Sequence, residues 1–314
     1  MLCMFAQYFP RSVASLLQRG ERLRRRFREE TVTDLLMSNL MTLGGGSIVV
    51  DFPDEPATGA DMEWHFINRD TREHFQMLLQ AKRVYDTGPN WRTHRYKELF
   101  YRSGPLKILQ VDTLCNTARL SSSAIYPAYV FYNLSNTCYS ANAAGWINFS
   151  GVNLCDAYVV QAFAARSNSP KVLRKYSEIV ALYPHLFSLT DIFCPSNVQP
   201  LGPMAFSPPR FSMPMILSFG EGRPSLGRPY PPRPDQVRQR LVDQRSKIFD
   251  LSVGLGISID LPSIPEVSKE IPSDLLPLID RFDGGEELVA SPVDRWRATF
   301  ISVSARDEVG RLRE

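Results

Sequence analysis

Between residues 28 and 195 the apolar positions change period several times, and each change marks an element. In "REETVTDLLMSNLMT" (28–42), Val32, Leu35, Leu36 and Leu40 recur at helical spacing, and "GGG" at 44–46 ends the run. "SIVVDF" (47–52) predicts a strand, "PDEPATG" (53–59) a turn-rich link, and "ADMEWHFI" (60–67) a second strand. "NRDTRE" (68–73) predicts a turn and "FQMLLQAKRV" (75–84) a third strand. A loop over 86–99, a helix over 105–124 and a strand over 126–134 follow. Residues 154–165 begin as a strand before their period becomes ambiguous, and 171–187 return to helical spacing. The order helix, three strands, helix, strand predicts an α/β domain over residues 28–195.

Beyond that point the pattern breaks. Residues 195–234 hold eleven of the 24 prolines, so 196–233 is expected to wrap the surface or to be disordered rather than form a regular element. Residues 234–314 read as a C-terminal extension with a helix over 234–248 and a late strand over 294–304. At the other end, residues 11–28 carry seven arginines against the single Glu21, interleaved with Phe5, Phe9, Val13, Leu16, Leu17, Leu23 and Phe27 across the leading segment. No apolar stretch follows the basic cluster, which excludes a secretory signal. Residues 1–27 therefore read as a basic leader: a solvated helix or a mistaken upstream start, a transit-like or amphipathic segment, or a phosphate contact.

Composition narrows the functional classes. A chain of 314 residues with a net charge of +3 can bury a core, and any hold on a polyanion must come from local patches. No apolar run approaches the roughly 20 residues that span a bilayer. Five scattered cysteines without C-x-x-C spacing argue against a structural zinc site or a disulfide framework and fit a reducing, cytoplasmic setting. The histidines share no ligand spacing, although His65 lies on a strand of interest. Neither a phosphate-binding lysine loop nor G-x-S-x-G is present.

Candidate chemistry begins at "TGADMEWHF" (58–66). A period of two sends Asp61, Glu63 and His65 to one face of the second strand and Met62, Trp64 and Phe66 to the other. On the third strand Gln80 and Lys82 share a face, opposite Leu79 and Ala81. An antiparallel hairpin would bring 61 and 63 opposite 80 and 82, with paired positions roughly 5 Å apart. Glu29 and Glu30 stand in the first turn of the preceding helix. Such a set suits phosphodiester hydrolysis: oxygen ligands for Mg²⁺ or Mn²⁺ and a lysine to orient water and offset transition-state charge. Basic and aromatic residues from 91 to 102, among them Arg92, Arg95, Tyr96 and Lys97, are candidates for phosphate contact and base stacking.

Asp61 followed by "LLQAKRV" resembles the PD-(D/E)xK restriction-endonuclease-like superfamily, and most closely its Mrr-type branch, in which glutamine replaces the second acid. "EETVTDL", "TGADMEW", "LLQAKR" and "YPAYVFYN" resemble, more narrowly, an uncharacterised bacterial family of predicted nucleases. The resemblance covers residues 28–195. It implies a restriction-endonuclease-like core with a mixed central sheet flanked by helices, and a metal-dependent deoxyribonuclease with a role in defence against foreign DNA. It makes Asp61 the principal metal ligand, Gln80 with the Ala81 carbonyl the second, and Lys82 the water-orienting residue. Glu30 matches the helical acid that completes such sites, and Gln110 a polar residue of the following helix. The chain departs from the pattern at Gly59-Ala60, at Met62-Glu63 and above all at Gln80. Glu63 would either compensate for that neutral glutamine or face water.

Two rival readings remain at this level. One is a nucleic-acid- or partner-binding module on the same fold without catalysis. The other is an interaction protein in which the polar faces are merely solvated. A homodimer is compatible with any of the three.

Overall fold

The computed structural model describes residues 1–25, 27–43, 47–51, 60–85, 88–121, 124–166, 169–194, 231–254, 259–284 and 296–303. Most of the proline-rich segment lies outside these residues. Helices α1 (Leu2–Arg22) and α2 (Glu29–Leu43) lead into strands β1 (Ile48–Asp51), β2 (Met62–Asn68) and β3 (Glu73–Arg83). A short hairpin, β4 (Arg102–Ser103) and β5 (Ile108–Leu109), precedes α3 (Gln110–Leu120) and β6 (Ile125–Tyr132). Then come α4 (Ser135–Ala143), β7 (Val152–Asp156), α5 (Ala157–Ala165), α6 (Pro170–Tyr176), α7 (Ile179–Leu182), β8 (Leu186–Ser188) and α8 (Leu189–Phe193). The last described elements are α9 (Pro234–Gly254), α10 (Leu276–Gly284) and β9 (Trp296–Ser302).

Seven strands form one mixed sheet in the order β1-β9-β2-β3-β6-β7-β8. The β2–β3 and β6–β7 pairs are antiparallel, whereas β3–β6 and β2–β9 are parallel. Helix α3 supplies the crossover that a parallel β3–β6 pair requires. The predicted order helix, three strands, helix, strand is observed from α2 to β6, but the helix expected over 105–124 begins only at Gln110, because 102–109 turn back as the hairpin. Helix α4 is unexpected, and 171–187 divide into α6, α7 and the start of β8.

Both faces of the sheet are covered, which explains the near-continuous burial of β2, β3 and β6. On one face Trp64, Phe66 and Phe300 pack around Phe193 of α8, with ring centroids 5.4–6.4 Å from it. On the other, Val49, Ile67 and Ile301 pack under Leu278 and Ile279 of α10.

Two terminal segments differ from the sequence reading. The expected leader is a core element: Phe5, Phe9, Val13 and Leu17, four residues apart, form the buried stripe of α1. Arg11, Arg19 and Arg22 lie off that stripe at half-buried or exposed positions. The helix lies so close to the start of β7 that a Cβ on Gly151 would fall 1.7 Å from the Pro10 carbonyl oxygen. Glycine is required there for lack of space. The C-terminal strand is equally central, since β9 inserts between β1 and β2 rather than extending the fold from outside. One disulfide, not a framework, joins Cys3 of α1 to Cys194 after α8, while Cys115, Cys138 and Cys155 are free and buried. Among the described residues no helix is long and apolar enough to cross a membrane.

Candidate active site

The β2–β3 register places Met62 opposite Leu79 and Glu63 opposite Leu78, and the Asp61 N–H donates to the Leu79 carbonyl at 2.9 Å. Asp61 therefore stands at the level of Gln80, on the face the alternation predicts. Its Oδ2 accepts two hydrogen bonds, from Gln80 Nε2 at 2.6 Å and from the Ala81 N–H at 2.7 Å. Beside them, Lys82 Nζ donates to Gln110 Oε1 at 2.9 Å, across from the first residue of α3. The fold thus brings Asp61, Gln80, Lys82 and Gln110 to one end of the sheet. Glu30, exposed in the first turn of α2, adds its charge from the neighbouring helix without bonding to them.

Burial drives the Asp61 carboxyl above the usual carboxylate pKa. The Ala81 N–H, the Lys82 charge and the Gln80 amide pull it down, and the Glu30 charge pushes it further up. Among the described residues the carboxylate is bonded only by neutral N–H donors, with Lys82 acting on it by charge alone. Gln80 Oε1 is buried and has no hydrogen-bond partner, an arrangement that costs free energy unless something else fills it. The Ala81 carbonyl lies 3.5 Å from Gln80 Nε2. It is the Gln80 N–H group that faces Asp61 and this carbonyl; turning the amide over would put Oε1 in its place and make an all-oxygen set of the kind a hard divalent cation takes. No three His, Cys, Asp or Glu side chains converge on a metal position among the described residues. An amide and a backbone oxygen would have to complete the shell.

Glu63 does not join this corner. Two residues along β2, it is 5% exposed and accepts from Arg297 Nε at 2.6 Å and from Gln76 Nε2 at 3.1 Å, with His65 Nε2 at 3.4 Å. Burial alone would raise its pKa, but the bond and charge of His65, followed by Arg297, hold it at about 2. Parallel pairing of β9 puts Arg297 directly beside Glu63. Both expected roles, metal ligand and solvated bystander, give way to a closed ion pair. His65 likewise faces inward, 3.0 Å from His74 Nε2, rather than toward Asp61.

The basic loop after β3 divides in the same manner. Tyr96 is fully buried, its hydroxyl donating to Asn133 Oδ1 at 2.6 Å and its ring 4.1 Å from Phe131, so it anchors the loop and offers no stacking face. Arg95 exchanges backbone hydrogen bonds with Tyr85 and is half-buried. Arg92 and Lys97 are exposed, lying over the rings of Trp91 and Tyr85 at 5.6 and 4.6 Å. Because Phe131 pairs with Lys82 across the β3–β6 ladder, the Tyr96 anchor holds this loop beside the site.

Tyr129 is the residue that sequence reasoning missed. It pairs with Gln80 on β6 and shares its face, and its buried hydroxyl has no hydrogen-bond partner. Burial, reinforced by Cys115 and Asp61, pushes its phenol well above the usual range, so it stays a neutral hydroxyl. The strand "YPAYVFYN" was legible. The β3–β6 register was not, since a crossover helix sets it.

No curated protein and no solved structure matches the chain. The model of a family of unknown function, DUF6615, matches residues 2–308, and the chain belongs to that family.

Proposed function

We propose that this protein is a metal-dependent nuclease that hydrolyses phosphodiester bonds of DNA, on a restriction-endonuclease-like core formed by α2, β1–β3, α3 and β6. One observation carries the reading. Among the described residues the strand end presents a buried carboxylate bonded only by neutral N–H donors, a buried amide oxygen without a partner and a lysine, in the order D…Q-x-K.

With the Gln80 amide turned so that Oε1 replaces its N–H group, Asp61, Gln80 Oε1 and the Ala81 carbonyl would hold Mg²⁺ or Mn²⁺, with Glu30 contributing from α2. The bound ion would neutralise the scissile phosphate and acidify water. The chain's own contribution is positional. Gln110 fixes the Lys82 ammonium by a single hydrogen bond, leaving two N–H donors to orient a water or meet a phosphate oxygen. The Ala81 N–H fixes the Asp61 carboxylate. Arg92 and Lys97 on the adjoining loop supply exposed positive charge for the substrate backbone. A second reading, DNA binding without hydrolysis, is favoured by one observation: Gln80 is neutral and donates its N–H to Asp61.

The test is cleavage of plasmid and linear DNA with Mg²⁺ or Mn²⁺. Lys82→Ala and Asp61→Ala should each lower the rate by about 10²–10³-fold with circular dichroism unchanged. Cleavage that survives both substitutions rejects hydrolysis at this site. Salt-dependent binding without cleavage by the wild type selects the second reading.

A further inference from the structure

The chain does not pass directly from the basic loop into α3. It first makes the β4–β5 hairpin, with Arg102 opposite Leu109 and Ser103 opposite Ile108. The turn is closed tightly: Gly104 and Lys107 take positive φ angles of 70° and 48°, and the Lys107 N–H donates to the Gly104 carbonyl at 3.1 Å. Arg102 Nη1 donates to the Lys107 carbonyl at 3.0 Å. At its base the Gln110 N–H donates to the Tyr101 carbonyl at 2.9 Å, and Leu109 is buried. The hairpin is therefore firmly mounted on the residue that holds Lys82.

Its outer surface is unusual for so short an element. Leu106 at the tip is 82% exposed, Tyr101 53% and Ile108 44%. Arg102 and Lys107, before and after the tip in sequence, are exposed, and the acids nearest in sequence are Asp112 and Glu98. An apolar tip between two cations is what groove-binding proteins present to a duplex: the cations meet phosphates while the apolar side chain enters between base steps and unstacks them. A protein partner is disfavoured, since three scattered side chains fall well short of the roughly 1,000 Å² of a stable interface.

We propose that residues 101–109 form a wedge that grips duplex DNA, Leu106 inserting between base steps while Arg102 and Lys107 contact the flanking phosphates. This rests on the nuclease reading and places the gripped step next to the Asp61–Lys82 corner. It also explains why the site helix starts late. The eight residues before Gln110 form the tool that holds substrate, and Gln110 joins that tool to Lys82.

The test uses the full chain without divalent cation and a duplex carrying 2-aminopurine at successive steps. Wild type should raise the fluorescence at one step. Leu106→Ser should abolish the rise and weaken binding about tenfold, whereas Leu106→Phe should keep both. Arg102→Ala with Lys107→Ala should lower the slope of log affinity against log salt by about 2. Wild-type affinity, slope and fluorescence in the serine and double-alanine variants would overturn the wedge. So would a change of oligomeric state on Leu106→Ser with DNA binding unaltered. A wild type that shows the fluorescence rise but never cleaves supports the wedge and defeats hydrolysis; one that binds no duplex at low salt defeats both.

Discussion

Two polar clusters lie on one face of the same hairpin, a few residues apart, and their fates are opposite. At the sheet end, Asp61 is held by two neutral N–H donors, with Lys82 bonded elsewhere. In the middle, Glu63 is enclosed by Arg297, Gln76 and His65. The first carboxyl is pushed above its usual pKa and the second is held at about 2. Residue type does not distinguish them. Among the described residues the difference is the neighbouring strand: β9 brings the Arg297 guanidinium to Glu63, and its described part begins at Trp296, which pairs with Met62. A satisfied buried carboxylate is structural, whereas one bonded only by neutral donors can bind a cation.

The largest effect should come from opening the closed cluster. Arg297→Ala takes the guanidinium from buried Glu63 and leaves it Gln76 and His65, which should cost about 3 kcal/mol and lower Tm by on the order of 10 °C. Adding Glu63→Gln should recover much of that loss in chemical denaturation. A loss below about 1 kcal/mol would erase the distinction between the clusters.

A sharper comparison neutralises each acid alone. Glu63→Gln should lower stability. Asp61→Asn should raise it slightly, because a group whose pKa is raised by folding destabilises the fold when ionised. Millimolar Mg²⁺ or Mn²⁺ should raise Tm for the wild type and for Glu63→Gln but not for Asp61→Asn. Equal metal responses in all three would remove Asp61 from the proposed site.

The smallest effect is a pH slope. Burial, then the His65 charge, hold His74 at about 3, below the ordinary histidine value of 6.5. The unfolded chain therefore binds more protons between these values. The contribution of neutral His74 is complete above about pH 6.5 and is lost as pH falls toward 3. That of Glu63 is present above its ordinary value of 4.5 and is lost as pH falls toward 2. His74→Gln should flatten the decline of stability between pH 6.5 and 4.5, measured by denaturation at stepped pH. An unchanged slope would mean that the histidine pair does not titrate with folding.

Local pattern made much of this legible. Period-two alternation identified β2 and β3 and assigned Asp61, Gln80 and Lys82 to one face, because the pleat fixes side-chain direction within a strand. Helical spacing found α2, whereas the crossover helix, expected from 105, starts only at Gln110. Composition was less reliable. Arginine density drew attention away from the four-residue stripe of α1, and aromatic character made Tyr96 look like a stacking residue when it is an anchor. Glu63 could not have been assigned at all, since its partner lies 234 residues away.

The sequence by itself determined the order of elements from α2 to β6, the shared face of the D…Q-x-K set and the oxygen-rich chemistry of that set, all of which depend on neighbours within a strand or hairpin. Only the tertiary structure decided which carboxylate is satisfied, which aromatic is buried and where the C-terminal strand inserts. Those outcomes depend on pairing between distant segments, whose register no local period encodes.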